Sequence, residues 1–216
     1  MPGVAPACRG DSHVIVRHWM TTEVVTVRKE ASIQEAMALM KTESIRHLPV
    51  VDAEKKLVGW VTDADLRGVL IASMLEELTL EDVMIRKPYT CSPDMALEEA
   101  ARILIERRVG GLPIVKHEKL VGIITVVDIL SAFITFLGLF TESSRLDVKA
   151  SEAGNPLPDI TRLVKQHGGE IISICHLPSQ IEGKEYAYSI RLKKCDLGPI
   201  VADLEAHGMS VTSQIS

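Results

Sequence analysis

The stretch "GWVTDADL", residues 59–66, returns later in the chain as "GIITVVDI", residues 122–129. Both read Gly, two apolar residues, Thr, two variable residues, Asp and an apolar residue. Thr followed three residues later by Asp has the spacing of a capping box, which places the acidic side chain at the positive end of a helix. The apolar residues before each Thr are typical of a buried strand. One copy predicts a strand followed by a capped helix, and the second copy indicates an internal repeat.

The repeat extends well beyond these eight residues. Met20 aligns with Met84 (84 − 20 = 64), and Pro49 aligns with Pro113 (113 − 49 = 64). Each repeat reads β-α-β-β-α, with a short alternating first strand ("VVTVR" in the first repeat), an amphipathic helix, two apolar strands and a second helix. Proline within a strand predicts that the strand lies at the edge of a sheet. Two such repeats are expected to pack against each other with pseudo-twofold symmetry, because each is small for a core of its own.

The order "MT…HLPVVD…GxxTxxD" resembles a CBS domain, and the two repeats together resemble a CBS pair, or Bateman module. The resemblance implies a first CBS unit at 14–76 and a second at 77–140, behind a flexible arm at 1–13. It also implies an adenosine-type ligand (AMP, ADP, ATP or S-adenosylmethionine) in the cleft between the two units. The implied protein is a regulatory sensor that binds this ligand without needing a cofactor.

The repeated motif suits such a ligand chemically. A carboxylate can accept hydrogen bonds from both ribose hydroxyls, and amides at a helix N-terminus suit a phosphate. The resemblance implies that each site combines the Thr and Asp of one unit with the first strand of the other unit, and that an arginine faces the phosphate. The first predicted site comprises Thr125 and Asp128 with Val24, Val25 and Arg46, and the second comprises Thr62, Ala64, Asp65 and Arg67 with Pro88, Tyr89 and Gly110.

These assignments leave alternatives open. The two arginines fit solvated surface charges as well as phosphate ligands, and Tyr89 fits a core position. Arg46 aligns with Gly110 (110 − 46 = 64), so the two sites are not equivalent, and a single occupied site is one consequence. The CBS pair also fits a structural or partner-docking dimer whose nucleotide sites are vestigial.

The C-terminal part, residues 143–216, has the pattern β-α-β-β-α-β of the ferredoxin-like split βαβ. It resembles an ACT domain, which implies an amino-acid site near the first strand–helix turn, at Glu152, Gly154 and Asn155. A dimerisation domain without a ligand is the alternative. The predicted fold is therefore α/β (α+β), with two CBS units followed by an ACT-like domain. This order resembles CBS–CBS–ACT proteins related to the acetoin-utilisation accessory protein.

All three phenylalanines lie where the CBS pair meets the C-terminal part. On one continuous helix they would share an apolar face, which predicts a homodimer interface. The residues predicted on this face are Ile129, Phe133, Phe136, Leu137 and Phe140.

Composition narrows the function classes. Hydrophobic residues make up 46% and charged residues 25%, as in ordinary globular proteins, and the net charge of −5 disfavours a nucleic-acid partner. The apolar run at 129–140 is too short to span a membrane. The four scattered cysteines predict reduced thiols in a cytoplasmic protein, with a disulfide as the lesser alternative. Without a catalytic triad, metal-ligand spacing, P-loop or Rossmann glycines, we expect neither an enzyme nor a metal site.

Overall fold

A computed structural model describes residues 14–75, 78–151, 156–177 and 185–215. The chain forms two compact units, an N-terminal unit that extends to Leu130 and a C-terminal unit that begins at Ser131. The predicted N-terminal arm and the predicted amino-acid ligands Glu152, Gly154 and Asn155 lie outside the described residues. Within the described residues, no helix combines the length and apolar character needed to span a membrane.

The N-terminal unit contains the two repeats, and each forms an antiparallel two-stranded sheet with helices. In the first sheet Pro49 lies opposite Trp60, and in the second Pro113 lies opposite Ile123, so the register repeats with the sequence. The elements in chain order are α1 (Ile33–Thr42), β1 (His47–Val51), β2 (Leu57–Thr62), α2 (Asp63–Leu75), α3 (Leu80–Val83), α4 (Leu97–Arg107), β3 (Gly111–Lys116), β4 (Lys119–Thr125) and α5 (Val126–Phe136).

Helix boundaries in the first repeat follow the local sequence. Ser32 caps α1 in a full capping box with Glu35, as its spacing predicts. The short helix α3 was not predicted, although Thr79 and Asp82 form the same kind of box at its start. The core beneath these helices is apolar and fully buried, and includes Ile33, Leu48, Val61, Leu66 and Leu80 in the first repeat. Leu97, Leu112, Ile114 and Ile124 are fully buried in the second.

The prediction of a first strand in each repeat was wrong. Val27 makes only a single parallel bridge with Val50, in which its amide donates to the Pro49 carbonyl over 3.1 Å and its carbonyl accepts from Val51 over 2.9 Å. In a longer parallel ladder the nitrogen of Pro49 would face the carbonyl of Val25, but proline has no N–H to donate. Cys91 bridges Ile114 in the same way beside Pro113, so each proline ends the pairing.

The segment before each repeat pairs with the other repeat. Thr21 and Ile123 exchange backbone hydrogen bonds of 2.9 and 3.0 Å, and Ile85 and Trp60 exchange bonds of 2.9 and 3.1 Å. This exchange of hydrogen bonds explains why the repeated motif begins with glycine. A Cβ on Gly122 would lie 2.7 Å from the sulfur of Met20, and the side chain of Met84 occupies the same place against Gly59.

The C-terminal unit is a four-stranded antiparallel sheet with two helices. Its elements are β5 (Ser143–Ser151), α6 (Leu157–Gln166), β6 (Ile171–Leu177), β7 (Glu185–Lys193), α7 (Gly198–Ala206) and β8 (Ser210–Ile215). The strand order in the sheet is β6-β7-β5-β8. Since β7 lies between β5 and β6, and β5 lies between β7 and β8, the unit contains two interleaved split βαβ motifs. The predicted β-α-β-β-α-β order is thus the observed one, whereas the ACT resemblance stays a prediction.

The predicted single apolar face through Phe140 was also wrong. Helix α5 ends at Phe136, and Gly138 follows with a left-handed φ of 69° that a helix cannot contain. Phe140 therefore lies beyond the helix. Within the helix, Ile129 is buried whereas Phe133 is 38% exposed, so these two residues do not share one environment.

Candidate functional site

The repeated Thr and Asp form two matching capping boxes. The backbone amide and hydroxyl of Thr62 donate to Oδ2 of Asp65 over 3.1 and 2.6 Å, and the Asp65 amide donates back to the hydroxyl over 3.2 Å. Thr125 and Asp128 repeat this arrangement, with donor distances of 2.7 and 2.7 Å and a return distance of 3.5 Å. The capping function predicted from the sequence is confirmed at both positions.

Each box leaves half of its carboxylate unused. Both threonine donors go to Oδ2, and in the described part of the chain no protein group donates to Oδ1 of Asp65 or Asp128. A carboxylate oxygen at a helix N-terminus is suited to accept hydrogen bonds from hydroxyl groups of a ligand. The threonine hydroxyls are already engaged, so each aspartate is the stronger candidate for ligand contact.

The first of two clefts, called here the Thr62 cleft, has a volume of about 620 Å³. It brings the Thr62 box of the first repeat to the segment around Pro88 and Tyr89 of the second repeat. Six of the seven residues predicted for this site line it. Its lining residues are Arg46, His47, Trp60, Thr62, Asp63, Ala64, Asp65, Ile85, Lys87, Pro88, Tyr89, Arg108, Val109, Gly110 and Gly111.

Arg67 is the predicted residue that does not line this cleft. Its Nε donates to Oδ2 of Asp63 over 2.8 Å, and it lines a different cavity on the far side of Asp63. The hydrogen bond from Arg67 lowers the pKa of the Asp63 carboxyl below its ordinary value. The i, i+4 spacing of the two residues on α2 was the sequence signal for this pairing.

Tyr89 is not a core residue, which removes that alternative. Its side chain is 49% exposed and lines the Thr62 cleft. The guanidinium of Arg107 lies 5.1 Å from the ring centroid, within the range of a cation–π contact.

The second cleft, called here the Thr125 cleft, has a volume of about 600 Å³. It brings the Thr125 box of the second repeat to the Val24–Val25 segment of the first, and all five residues predicted for this site line it. Its lining residues are Thr21, Glu23, Val24, Val25, Ser44, Ile45, Arg46, His47, Gly110, Ile123, Thr125, Val126, Val127 and Asp128.

The two clefts share a wall made of Arg46, His47 and Gly110. The missing side chain of Gly110 makes room for the His47 ring, because a Cβ there would lie 2.6 Å from Nε2. The ring also packs against Trp60 at a centroid distance of 5.6 Å. Burial, together with the charge of Arg46, lowers the pKa of His47 below its ordinary value of 6.5. The shared wall is therefore a neutral imidazole beside one cation.

Several lining residues were missed by the sequence reasoning, among them Lys87 and Arg108. They lie 64 positions after Glu23 and Ser44 (87 − 23 = 64; 108 − 44 = 64), which line the Thr125 cleft and were missed as well, so the alignment relates these residues without singling them out. Ser44 and Arg108 also share a left-handed backbone, with φ of 55° and 53°. Across the described ranges, no three His, Cys, Asp or Glu side chains are grouped closely enough to hold a metal ion.

Comparison with known proteins identifies the N-terminal repeats. The CBS domain model matches twice, at residues 16–72 and 80–135, which together exceed half of the chain. Three curated relatives, a homoserine O-acetyltransferase of Methanohalobium evestigatum and an inosine-5'-monophosphate dehydrogenase and the protein MJ1225 of Methanocaldococcus jannaschii, align over 50–57% of this chain at 31–40% identity, but the aligned region spans only 21–42% of their own length.

Three solved structures show what the fold resembles. A Vibrio cholerae protein assigned to acetoin utilization (AcuB) is 34% identical, with a TM-score of 0.56, and the match covers 61% of this chain and 100% of that one. CBSX2 in complex with AMP is 29% identical with a TM-score of 0.52, covering 56% of this chain and 96% of that one; CBSX2 is a protein of Arabidopsis thaliana. The CBS pair of protein MJ0100, in complex with 5′-methylthioadenosine and S-adenosyl-L-methionine, is 30% identical with a TM-score of 0.51, covering 55% and 94%. With two matches to the family model and two clefts at the repeated motif, this chain belongs to the CBS domain family.

Proposed function

We propose that this protein is a non-catalytic regulatory sensor that binds an adenosine-type ligand, such as AMP, ADP, ATP or S-adenosylmethionine. The Thr62 and Thr125 clefts would be its binding sites. One observation carries the proposal: each cleft joins an aspartate, one of whose carboxylate oxygens has no donor among the described residues, to an apolar segment contributed by the other repeat. The complexes of CBSX2 with AMP and of MJ0100 with two adenosine derivatives support it.

The chemistry of the lining residues supports an adenosine ligand. The free oxygen of each aspartate would accept both ribose hydroxyls, as a carboxylate can. Val24 and Val25 in one cleft, and Pro88 and Tyr89 in the other, would sandwich the base. Arg46 is exposed and lies in the wall of both clefts, so it would face the phosphate of a phosphorylated ligand.

We further propose that the signal travels through a homodimer to the C-terminal unit or to a partner protein. Helix α5 supports this route, because it carries Asp128 in its first turn and exposes apolar side chains both before and after that residue. Val127 is 70% exposed and Leu130 56%. A ligand can shift such an equilibrium only through different affinities for the two states. An amino-acid site in the ACT-like domain belongs to the same proposal.

Thermal unfolding of the full chain with AMP, ADP, ATP and S-adenosylmethionine tests the binding proposal. A ligand at about one hundred times its dissociation constant adds about 2.7 kcal/mol to the free energy of unfolding. The stabilisation should be lost in Asp65→Ala or Asp128→Ala for the cleft concerned. Asp82→Ala is the matched control, because Thr79 and Asp82 form the same capping box at α3 and line neither cleft.

The control separates ligand binding from helix capping. All three variants keep the threonine N-cap but lose the hydrogen bonds that its amide and hydroxyl donate to the carboxylate, so each should lose about 1 kcal/mol of stability without ligand. Only the two cleft variants should also lose the ligand-induced gain. If no adenosine ligand stabilises the wild type, the sensor proposal fails, and the structural or partner-docking dimer becomes the better reading.

A further inference from the structure

The Thr62 and Thr125 clefts are related by the repeat but carry opposite charge. At the position where the Thr62 cleft has Lys87, the Thr125 cleft has Glu23, and where the first has Arg108, the second has Ser44. The aligned residues occupy equivalent places in the two walls, since each pair is 64 positions apart. The difference is therefore a substitution of charge within one shared framework.

The charges of each cleft can be added from its lining residues. The Thr62 cleft has three cations, Arg46, Lys87 and Arg108, against two carboxylates. One of those carboxylates, Asp63, is already paired with Arg67, which lines another cavity. The Thr125 cleft has Arg46 as its one cation among the lining residues, against Glu23 and Asp128.

The shared wall sharpens this difference. Arg46 lines both clefts, and its counterpart in the second repeat is Gly110, so one guanidinium serves two sites. When a phosphate in the Thr62 cleft engages Arg46, the Thr125 cleft is left with two carboxylates. The two carboxylates would repel a phosphate in the Thr125 cleft, whereas they would not repel an uncharged or cationic ligand.

We propose that the two clefts sort adenosine ligands by charge. The Thr62 cleft takes a phosphorylated adenosine such as AMP or ATP, and the Thr125 cleft takes one without phosphate, such as 5′-methylthioadenosine or S-adenosylmethionine. This inference rests on the proposed sensor function and adds the ligand class of each site. Lys87 and Glu23 are its specificity-determining residues.

Isothermal titration calorimetry on the full chain tests the sorting. AMP binding should be abolished by Asp65→Ala and retained in Asp128→Ala, and S-adenosylmethionine binding should show the reverse pattern. Lys87→Glu should weaken AMP binding by up to about fivefold through the lost ion pair, which is worth at most about 1 kcal/mol when exposed, and further through the added repulsion. Glu23→Lys should weaken S-adenosylmethionine and create a second AMP site.

The outcomes distinguish the sorting of ligands by charge from the sensor function on which it rests. If both ligands bind but depend on the same aspartate, or if Lys87→Glu and Glu23→Lys leave both affinities unchanged, the sorting is refuted while the sensor function stands. If neither ligand binds the wild type, both fail together. Raising the salt concentration should weaken AMP more than 5′-methylthioadenosine, because screening acts on the charged ligand.

Discussion

Gly122→Ala should destabilise the N-terminal unit and weaken ligand binding in the Thr125 cleft. The added Cβ would lie 2.7 Å from the sulfur of Met20 and 3.1 Å from the carbonyl oxygen of Thr21. The sulfur can move, but the carbonyl is held by the amide of Ile123 over 3.0 Å. Overpacking of this kind costs about 1–3 kcal/mol. The displaced Thr21 segment leads directly into Glu23, Val24 and Val25, which line the cleft.

Chemical denaturation of the wild type and variant gives the free energy of unfolding, and calorimetry with S-adenosylmethionine gives the effect on the cleft. Gly68→Ala is the matched control, because nothing lies within 4 Å of a Cβ at that position in α2. There the same substitution should stabilise the protein by about 1 kcal/mol, since glycine is a poor helix former. The two glycines should therefore respond with opposite signs.

A double-mutant cycle with Met20→Ala tests the cause. Removing the methionine side chain should recover part of the loss in the Gly122→Ala background, with a coupling of about 0.5–3 kcal/mol, as for residues in contact. The steric account is refuted if Gly122→Ala is as stable as Gly68→Ala, or if Met20→Ala costs the same in both backgrounds.

Three further predictions concern single groups. Burial raises the pKa of the Cys91 thiol to about 12, so we expect alkylation by iodoacetamide at pH 8 only after unfolding, as peptide mass spectrometry would show. Because burial lowers the folded pKa of His47 below 6.5, its contribution to stability is full above pH 6.5 and is lost as the pH falls through the lowered pKa. Denaturation across this range should give a flatter pH profile for His47→Gln than for the wild type; equal slopes would contradict it. If α5 forms the interface of a homodimer, Leu130→Asp should give a monomer in sedimentation equilibrium. Ile105→Asp, at a side chain 76% exposed on α4, should leave the dimer intact.

Much of the N-terminal unit could be predicted because its signals are local. The capping boxes at Ser32, Thr62 and Thr125 depend on residues three apart, and the structure shows all three. The repeat then fixed which residues correspond. Its pairing of Arg46 with Gly110 predicted that the two sites are not equivalent, but it assigned the two residues to different sites, whereas the structure places both in the shared wall.

The errors arose where a partner elsewhere in the chain decides the outcome. The "VVTVR" pattern is that of a strand, but its neighbour Pro49 offers no N–H, so the pairing stops at Val27. The helix through Phe136 was extended too far because apolar periodicity continues past Gly138, whose left-handed backbone ends it. The pairing of Thr21 with Ile123 joins two repeats and has no signal in either alone.

Each cleft contains polar groups that lack a hydrogen-bond partner among the described residues. Asp65 and Asp128 each use Oδ2 to accept hydrogen bonds at the start of a helix, whereas Oδ1 has no donor in the described part of the chain. Pro49 ends the parallel pairing, so among the described residues the Val25 carbonyl receives no backbone hydrogen bond, and it lies where the Thr125 cleft has its apolar wall. An unpaired carbonyl beside apolar side chains can accept a hydrogen bond from an amino group on a flat base, whereas a carbonyl paired within a strand could not.

The proline in each repeat would then contribute to ligand binding, as the aspartate does. Pro49→Ala, which restores a donor, should lengthen the strand and weaken the ligand of the Thr125 cleft while leaving the Thr62 cleft unchanged. Hydrogen exchange at Val27 and calorimetry with S-adenosylmethionine would measure the two effects, and an unchanged affinity would show that the carbonyl takes no part.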